Sequence, residues 1–245
     1  MIWIPNVKSV EEAHLGVVAM FEKEEDPVSP AGVKNADMLE SACMRPSTGA
    51  GDTEKYKTLF TKAAALFHSL TKNHPFHNGN KRTAVVTLLT VLHRNNRRLN
   101  PDVNDDTLFN FAVDVTADDF PVTGVRATAD EIVAAIAEWL KNHTIAVSSS
   151  PPGMRTSDFI AKCKNAGVRY KEVKGGGHCL QHKGGSLTFS RSSKHLDGPV
   201  IKQYIKRLGL HEIAGIGFDE FSDGTSGERL QIYRYMATLK RLAKT

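Results

Sequence analysis

His74-Pro75-Phe76-His77-Asn78-Gly79-Asn80-Lys81-Arg82-Thr83-Ala84 separates two apolar runs, TLFTKAAALFHSLTKN (Thr58–Asn73) and AVVTLLTVLH (Ala84–His93). Proline cannot continue a helix and disfavours helical geometry in the residue before it, so the first run must end at His74-Pro75. Gly79 permits backbone conformations closed to other residues. Asn80 is a competent N-cap for a second helix, which places Lys81 and Arg82 on its first turn. Cations there oppose the helix dipole. A phosphate resolves the conflict, because free N–H groups and two basic side chains would converge on it. His74 adds a group that exchanges a proton near neutral pH. The stretch therefore reads as a general base beside an anion hole.

HPFHNGNKRTA resembles the signature of the Fic/Doc superfamily, and its Lys81-Arg82 ending resembles the Doc (death-on-curing) branch. The flanks agree: LESACMRPSTG (Leu39–Gly49), KAAALFHSLTKN and NRRLNPDVNDDTLFNFAVDV (Asn96–Val115) are similar to the family's segments, so the resemblance covers about residues 1–143. It implies that ATP or another nucleoside triphosphate binds at Asn78, Gly79, Asn80, Lys81 and Arg82. His74 would deprotonate an acceptor hydroxyl, and Arg82 would hold the phosphates as a second catalytic residue. A lysine at position 81, where the Fic branch has glycine, implies transfer of a terminal phosphoryl group rather than AMP. The implied target is a protein of the translation machinery, the outcome growth arrest, and the restraint a separate antitoxin or the chain's own C-terminal domain. Family members commonly carry Asp or Glu where this chain has Asn78, which leaves a neutral oxygen as a weak Mg²⁺ ligand. The superfamily's inhibitory [S/T]xxxE[G/N] motif is absent, since no glutamate precedes Gly or Asn. Phe76 reads as core beneath the loop, and His68, His77 and His93 as surface or helix-face residues.

Around this stretch the chain reads as helical. Apolar spacing predicts helices over Val10–Glu24, Asn35–Met44, Thr58–Thr71, Ala84–Leu92, Asp105–Val115 and Asp130–Lys141, with Pro121–Ala129 unassigned. Residues 1–147 form the expected Fic/Doc-like phosphotransferase domain, and Ser148–Gly153 (SSSPPG) has linker composition.

Beyond the linker the period changes. A helix over Thr156–Ala166 precedes short alternating segments at Arg169–Lys174, His178–His182 and Ser186–Ser190, parted by glycine turns. A second helix follows over Gly198–Leu208, and residues 214–245 read as a loop and a terminal basic helix from Gly227. The α-β-β-β-α order with GGGH over about residues 156–210, within an expected domain of residues 154–213, resembles the HicA toxin domain, a small double-stranded-RNA-binding-like fold. That resemblance implies His178 as the functional residue of an RNA site. The fold class expected is thus mainly α: a Fic/Doc-like helical bundle followed by a small α+β domain. An AMP transferase, or a HicA-like RNA-binding or mRNA-cleaving protein with a degenerate Fic/Doc part, is the alternative.

Charge supports the division. Residues 1–150 hold 15 Lys+Arg and 19 Asp+Glu, and residues 151–245 hold 17 and 8, so an acidic part of net −4 precedes a basic part of net +9. A basic small domain favours an anionic partner, RNA first. No apolar run reaches 18 residues, so no membrane span is expected, and the N-terminal stretch lacks the pattern of a secretory signal. Three cysteines without CxxC spacing suit free thiols in a reducing cytoplasm.

Overall fold

The computed structural model describes residues 2–51, 53–121, 127–146, 153–173, 175–182, 185–210 and 227–245. The chain divides into two compact units, residues Met1–Val147 with Gln231–Thr245, and residues Ser148–Leu230. Part of the unassigned Pro121–Ala129 connection and most of the expected 148–153 linker lie outside the described residues.

Unit 1 is built on α3 (Leu59–Asn73) and α4 (Asn80–Arg94). Thr58 caps α3 in a reciprocal pair with Thr61, and every residue from Lys62 to Thr71 is buried. A helix buried on all sides must lie at the centre. Around it pack α2 (Ala36–Met44, capped by Asn35), α5 (Asp105–Ala117, capped by Asn104) and α6 (Ala129–Asn142), while α1 (Val7–Phe21, capped by Asn6) packs on α4. A Thr128–Glu131 capping box starts α6. Phe67 of α3, Phe111 of α5 and Trp139 of α6 form a stacked column with centroid spacings of 5.3 Å and 3.9 Å. Leu66, Phe67 and Leu70 are each 1% exposed, and burial of such side chains stabilises by about 1.5–3 kcal/mol apiece.

Two small antiparallel pairs flank this bundle, and the helical periodicity gives no sign of them. β1 (Gly49–Ala50) pairs with β2 (Thr53–Glu54), and β3 (Arg97–Leu99) with β4 (Thr144–Ala146) in the register Arg98↔Ile145.

The C-terminal residues belong to this unit. The basic helix from Gly227 is two helices, α9 (Gly227–Arg234) and α10 (Met236–Arg241). Ile232, Tyr235, Leu239 and Leu242 join the core that holds α1 and α5. The Tyr235 hydroxyl donates to the Val103 carbonyl at 2.9 Å, and the N–H of Thr238 donates to Asp105 Oδ1 at 2.7 Å.

Unit 2 contains α7 (Thr156–Asn165), a sheet of β6 (Arg169–Val173), β7 (Gly177–His182) and β8 (Gly185–Phe189), and α8 (Gly198–Arg207). The sheet order is β6-β7-β8, antiparallel throughout. Leu180, Leu187 and Phe189 share a core with Phe159, Cys163, Ile201 and Ile205 of the helices. A further pair, β5 (Met154–Arg155) with β9 (His195–Leu196), was not legible as strands. The mainly α architecture with a small α+β part agrees with the fold class read from sequence.

All three cysteines are free. Burial raises the Cys43 thiol to about 11 and the Cys163 thiol to about 12, so neither is a nucleophile at neutral pH.

Candidate active site

The motif loop joins the C-terminus of α3 to the N-terminus of α4. His74 is the C-cap of α3 and adopts the left-handed region, φ 44° and ψ 56°. The following proline disfavours the right-handed alternative. A left-handed histidine costs roughly 1–2 kcal/mol, which the surrounding structure must sustain. The result is an exposed imidazole placed off the helix end. Its pKa is lowered by partial burial and then by Lys81, Lys72 and Lys34, so it is neutral at pH 7 and able to accept a proton.

Gly79, not Asn80, is the N-cap of α4, with φ 72°. A Cβ on Gly79 would approach Val28 Cγ1 to 3.0 Å, a second reason for glycine here. The expected capping role of Asn80 is corrected: it is the first helical residue, and its amide grips the loop. Its Oδ1 accepts from the Phe76 N–H and its Nδ2 donates to the Phe76 carbonyl, both at 2.9 Å. No side chain caps α4, so the first-turn N–H groups have no partner within the helix and point at any bound anion.

Lys81 and Arg82 lie on that first turn but differ in environment. Lys81 is half-buried, its pKa lowered by burial, and among the described residues no carboxylate pairs with it. Arg82 is only 2% exposed. Its Nη1 donates to the Asp26 carbonyl at 2.8 Å and its guanidinium lies 4.7 Å from the Phe21 ring centroid. Its Nε is buried without a partner. In this arrangement Arg82 fastens the first turn of α4 to the end of α1, while His74, Lys81 and the helix N–H groups line the open side.

Asn78 is also engaged. Its Oδ1 accepts from the Gly79 N–H at 2.6 Å and its Nδ2 donates to the Ser29 carbonyl at 2.9 Å. No group of three or more His, Cys, Asp or Glu able to hold a metal occurs among the described residues. A lone, already bonded amide oxygen does not make a Mg²⁺ site, which calls for one or two carboxylates.

Two residues not singled out from sequence build the rest. Segment 31–35 lies antiparallel to the loop through a Val33↔Phe76 bridge, a Lys34 N–H to Pro75 carbonyl bond of 2.7 Å and a His77 N–H to Gly32 carbonyl bond of 3.1 Å. This brings Lys34 into electrostatic range of His74. Beneath, His14 is 1% exposed and stacks on Phe76 at 4.0 Å. Its Nε2 accepts from the Gly32 N–H at 3.0 Å, so its proton is on Nδ1 and is donated to Thr83 Oγ1 at 3.0 Å. Burial and Arg82 lower its pKa, consistent with that neutral tautomer. A histidine inside an amphipathic helix gives no local sign of such a role. His68, read as a helix-face residue, is buried and accepts from Arg45.

A family model described as the Fic/DOC family matches residues 9–92. The protein named Toxin Doc from Mycolicibacterium smegmatis is 33% identical over 103 residues, spanning 42% of this chain and 79% of that relative. This chain belongs to the Fic/Doc family. No solved structure matches the chain. The motif residues His74 to Ala84 lie inside the matched segment, whereas residues 231–245 and all of unit 2 lie beyond it.

His178 sits on β7, directly opposite Glu172 of β6. Its Nδ1 lies 3.0 Å from the Tyr170 hydroxyl, which is 3.4 Å from Glu172 Oε1. Lys164 lies 4.5 Å from the Tyr170 ring centroid.

Proposed function

We propose that the chain is a toxin-like transferase that moves a phosphoryl group from ATP, or another nucleoside triphosphate, to a hydroxyl of a protein of the translation machinery. The observation that carries this reading is His74, held in a left-handed conformation beside an uncapped helix N-terminus that bears Lys81, a residue that no carboxylate pairs with among the described residues. The acceptor hydroxyl gives its proton to the imidazole. Its oxygen bonds to the γ-phosphorus while the bond to the β–γ bridging oxygen breaks, and the nucleoside diphosphate departs with that electron pair. The N–H groups of Asn80 and Lys81 and the Lys81 ammonium take up the developing charge. Mg²⁺ accompanying the nucleotide would draw its ligands from phosphate and water, and no step above depends on it. Lys81, in place of the Fic glycine, favours the terminal phosphoryl over AMP. The relative's name, Toxin Doc, supports growth arrest and a separate antitoxin as parts of the same reading.

The experiment is incubation of the chain with γ-labelled and α-labelled ATP in a bacterial extract. Label from the γ-phosphate alone is the expected outcome, with His74→Ala lowering its rate by ~10²–10⁴. Label from the α-phosphate alone would assign the chain to AMP transfer instead.

A second reading concerns unit 2. The Tyr170–His178 pair, with Lys164 against Tyr170, supports RNA binding through a basic face carrying stackable rings. The HicA resemblance stands with this proposal.

A further inference from the structure

His14 is enclosed where α1, segment 31–35, the motif loop and α4 meet, and from α1 it touches each of the other three. Its two ring nitrogens act in opposite senses. Nε2 accepts from the Gly32 N–H at 3.0 Å, and Nδ1, which therefore carries the proton, donates to Thr83 Oγ1 at 3.0 Å. The ring lies flat on Phe76, 4.0 Å away with an angle of 9° between the planes. Gly32 turns at φ 96°, a conformation that favours glycine, and its N–H finds its acceptor in a side chain of another element.

From Gly32 the segment runs beside the motif loop. The Gly32 carbonyl accepts from the His77 N–H at 3.1 Å, and the N–H groups of Lys34 and Asn35 donate to the Pro75 carbonyl at 2.7 Å and 3.1 Å. Asn35 then caps α2 through the Met38 N–H, which anchors the far end of the segment. The near end, at Gly32, is anchored by His14. Lys34 lies between the two anchors, its backbone bonded to the residue that follows His74, and its charge disfavours a proton on that imidazole. A phenylalanine in place of His14 would keep the ring and the stack but leave the Gly32 N–H and the Thr83 hydroxyl without these partners. A glutamine would carry both an acceptor and a donor.

We propose that His14 is a positioning residue for the transfer site: through Gly32 it holds Lys34 against His74, and through Phe76 and Thr83 it fixes the motif loop to the first turn of α4. The proposal rests on the reading of His74 as the base, but the coupling of His14 to His74 through Lys34 is independent of which group is transferred. His14 itself, buried beneath Phe76, takes no part in the chemistry. With segment 31–35 held, an approaching hydroxyl meets an imidazole whose place and proton affinity are already set. A displacement of about 1 Å at such a point costs about 10²-fold in rate.

The test is an NMR pH titration of His74 in the full chain, its ring resonance identified by its loss in His74→Gln. Lys34→Gln removes a nearby cation and should raise the His74 pKa. His14→Phe should raise it in the same direction by releasing the segment. The double variant should raise it no further than Lys34→Gln alone, because both changes act through one charge. His14→Gln should bring the pKa back towards the wild-type value. In the transfer assay His14→Phe should lower kcat roughly tenfold or more, with recovery in His14→Gln. A chain without transfer activity would overturn the functional reading and leave the titration to decide the role of His14. A His74 pKa unmoved by His14→Phe, or additive effects in the double variant, overturns the proposal. If His14→Phe does not fold, the wild-type chain decides: His14 must carry its proton on Nδ1 and show coupling across the bond from the Gly32 N–H to Nε2, and a proton on Nε2 overturns the assignment.

Discussion

Asn78 and Asn80 show how much of a motif can serve the loop itself. Both amides are bonded to backbone, Asn80 to Phe76 and Asn78 to Gly79 and Ser29. The signature thus encodes a loop shape as much as a set of ligands. Histidines make the same point through protonation. His68 has its pKa lowered to about 4 in the folded chain against 6.5 unfolded, so the unfolded state binds the proton more readily. Its contribution to stability is therefore complete above pH 6.5 and is lost as pH falls towards 4. Full linkage amounts to at most about 3 kcal/mol. His14 acts in the same direction. Melting temperature measured from pH 7 to 4.5 should fall more steeply for the wild type than for His68→Gln. Equal slopes would show that His68 does not titrate as its burial dictates.

Elements were legible where one physical signal dominated. The run Leu59–Asn73 has a cap, a wide apolar stripe and a proline stop, and α3 spans those residues. The start of α4 was misplaced because an asparagine cap and a left-handed glycine cap look alike until the Asn80 side chain is seen turned back on Phe76. The strand pairs β1–β2 and β3–β4 were missed because two- and three-residue strands carry no measurable alternation. Segment 31–35 has no period at all, and its place beside the motif depends on backbone bonds to Pro75 and His77. The C-terminal basic stretch was read as a helix but without a task. Its task follows from Asp105, which accepts from both the N–H and the hydroxyl of Thr238 at 2.7 Å and so caps α10 from the start of α5. Asp105→Ala should cost about 2 kcal/mol in denaturant unfolding, as loss of a cap with charge-assisted bonds does. Lys240→Ala, which removes a surface pair with Glu24 at 2.8 Å, should cost under about 1 kcal/mol. A neutral Asp105→Ala would mean that the apolar contacts of Leu239 and Leu242 hold α10 unaided.

Across the whole molecule, composition announced two parts and the structure has two units, the second basic. The charge shift was readable because it is a sum over many residues, whereas the return of residues 231–245 to the first core depends on long-range packing of Tyr235 and Leu239. The RNA reading of unit 2 belongs to this scale, since backbone-directed binding scales with the number of phosphates neutralised. Gel retardation of the full chain with structured RNA should weaken steeply between 50 and 200 mM salt, by roughly 10³-fold or more if six phosphates are contacted. His178→Ala should change the affinity little if lysines and arginines carry it, and should remove any cleavage if the imidazole is the base. Absence of retardation at low salt would end the RNA reading.

Unit 2 is continuous in the chain, but unit 1 is not, because Ile232, Tyr235, Leu239 and Leu242 complete a core begun by Val10 and Leu39. During vectorial synthesis the basic unit is therefore complete, and free to fold, before the unit that precedes it can close. The Glu24–Asp26 loop, whose Asp26 carbonyl holds Arg82, meets its partners Lys240 and Lys244 only in that last stretch. A nascent chain stalled within unit 2 would carry every residue of the HPFHNGNKRTA loop and still lack Lys240 and Lys244, the partners of the Glu24–Asp26 loop. Translation thus supplies the last residues of the unit 1 core only after all of unit 2 has been made.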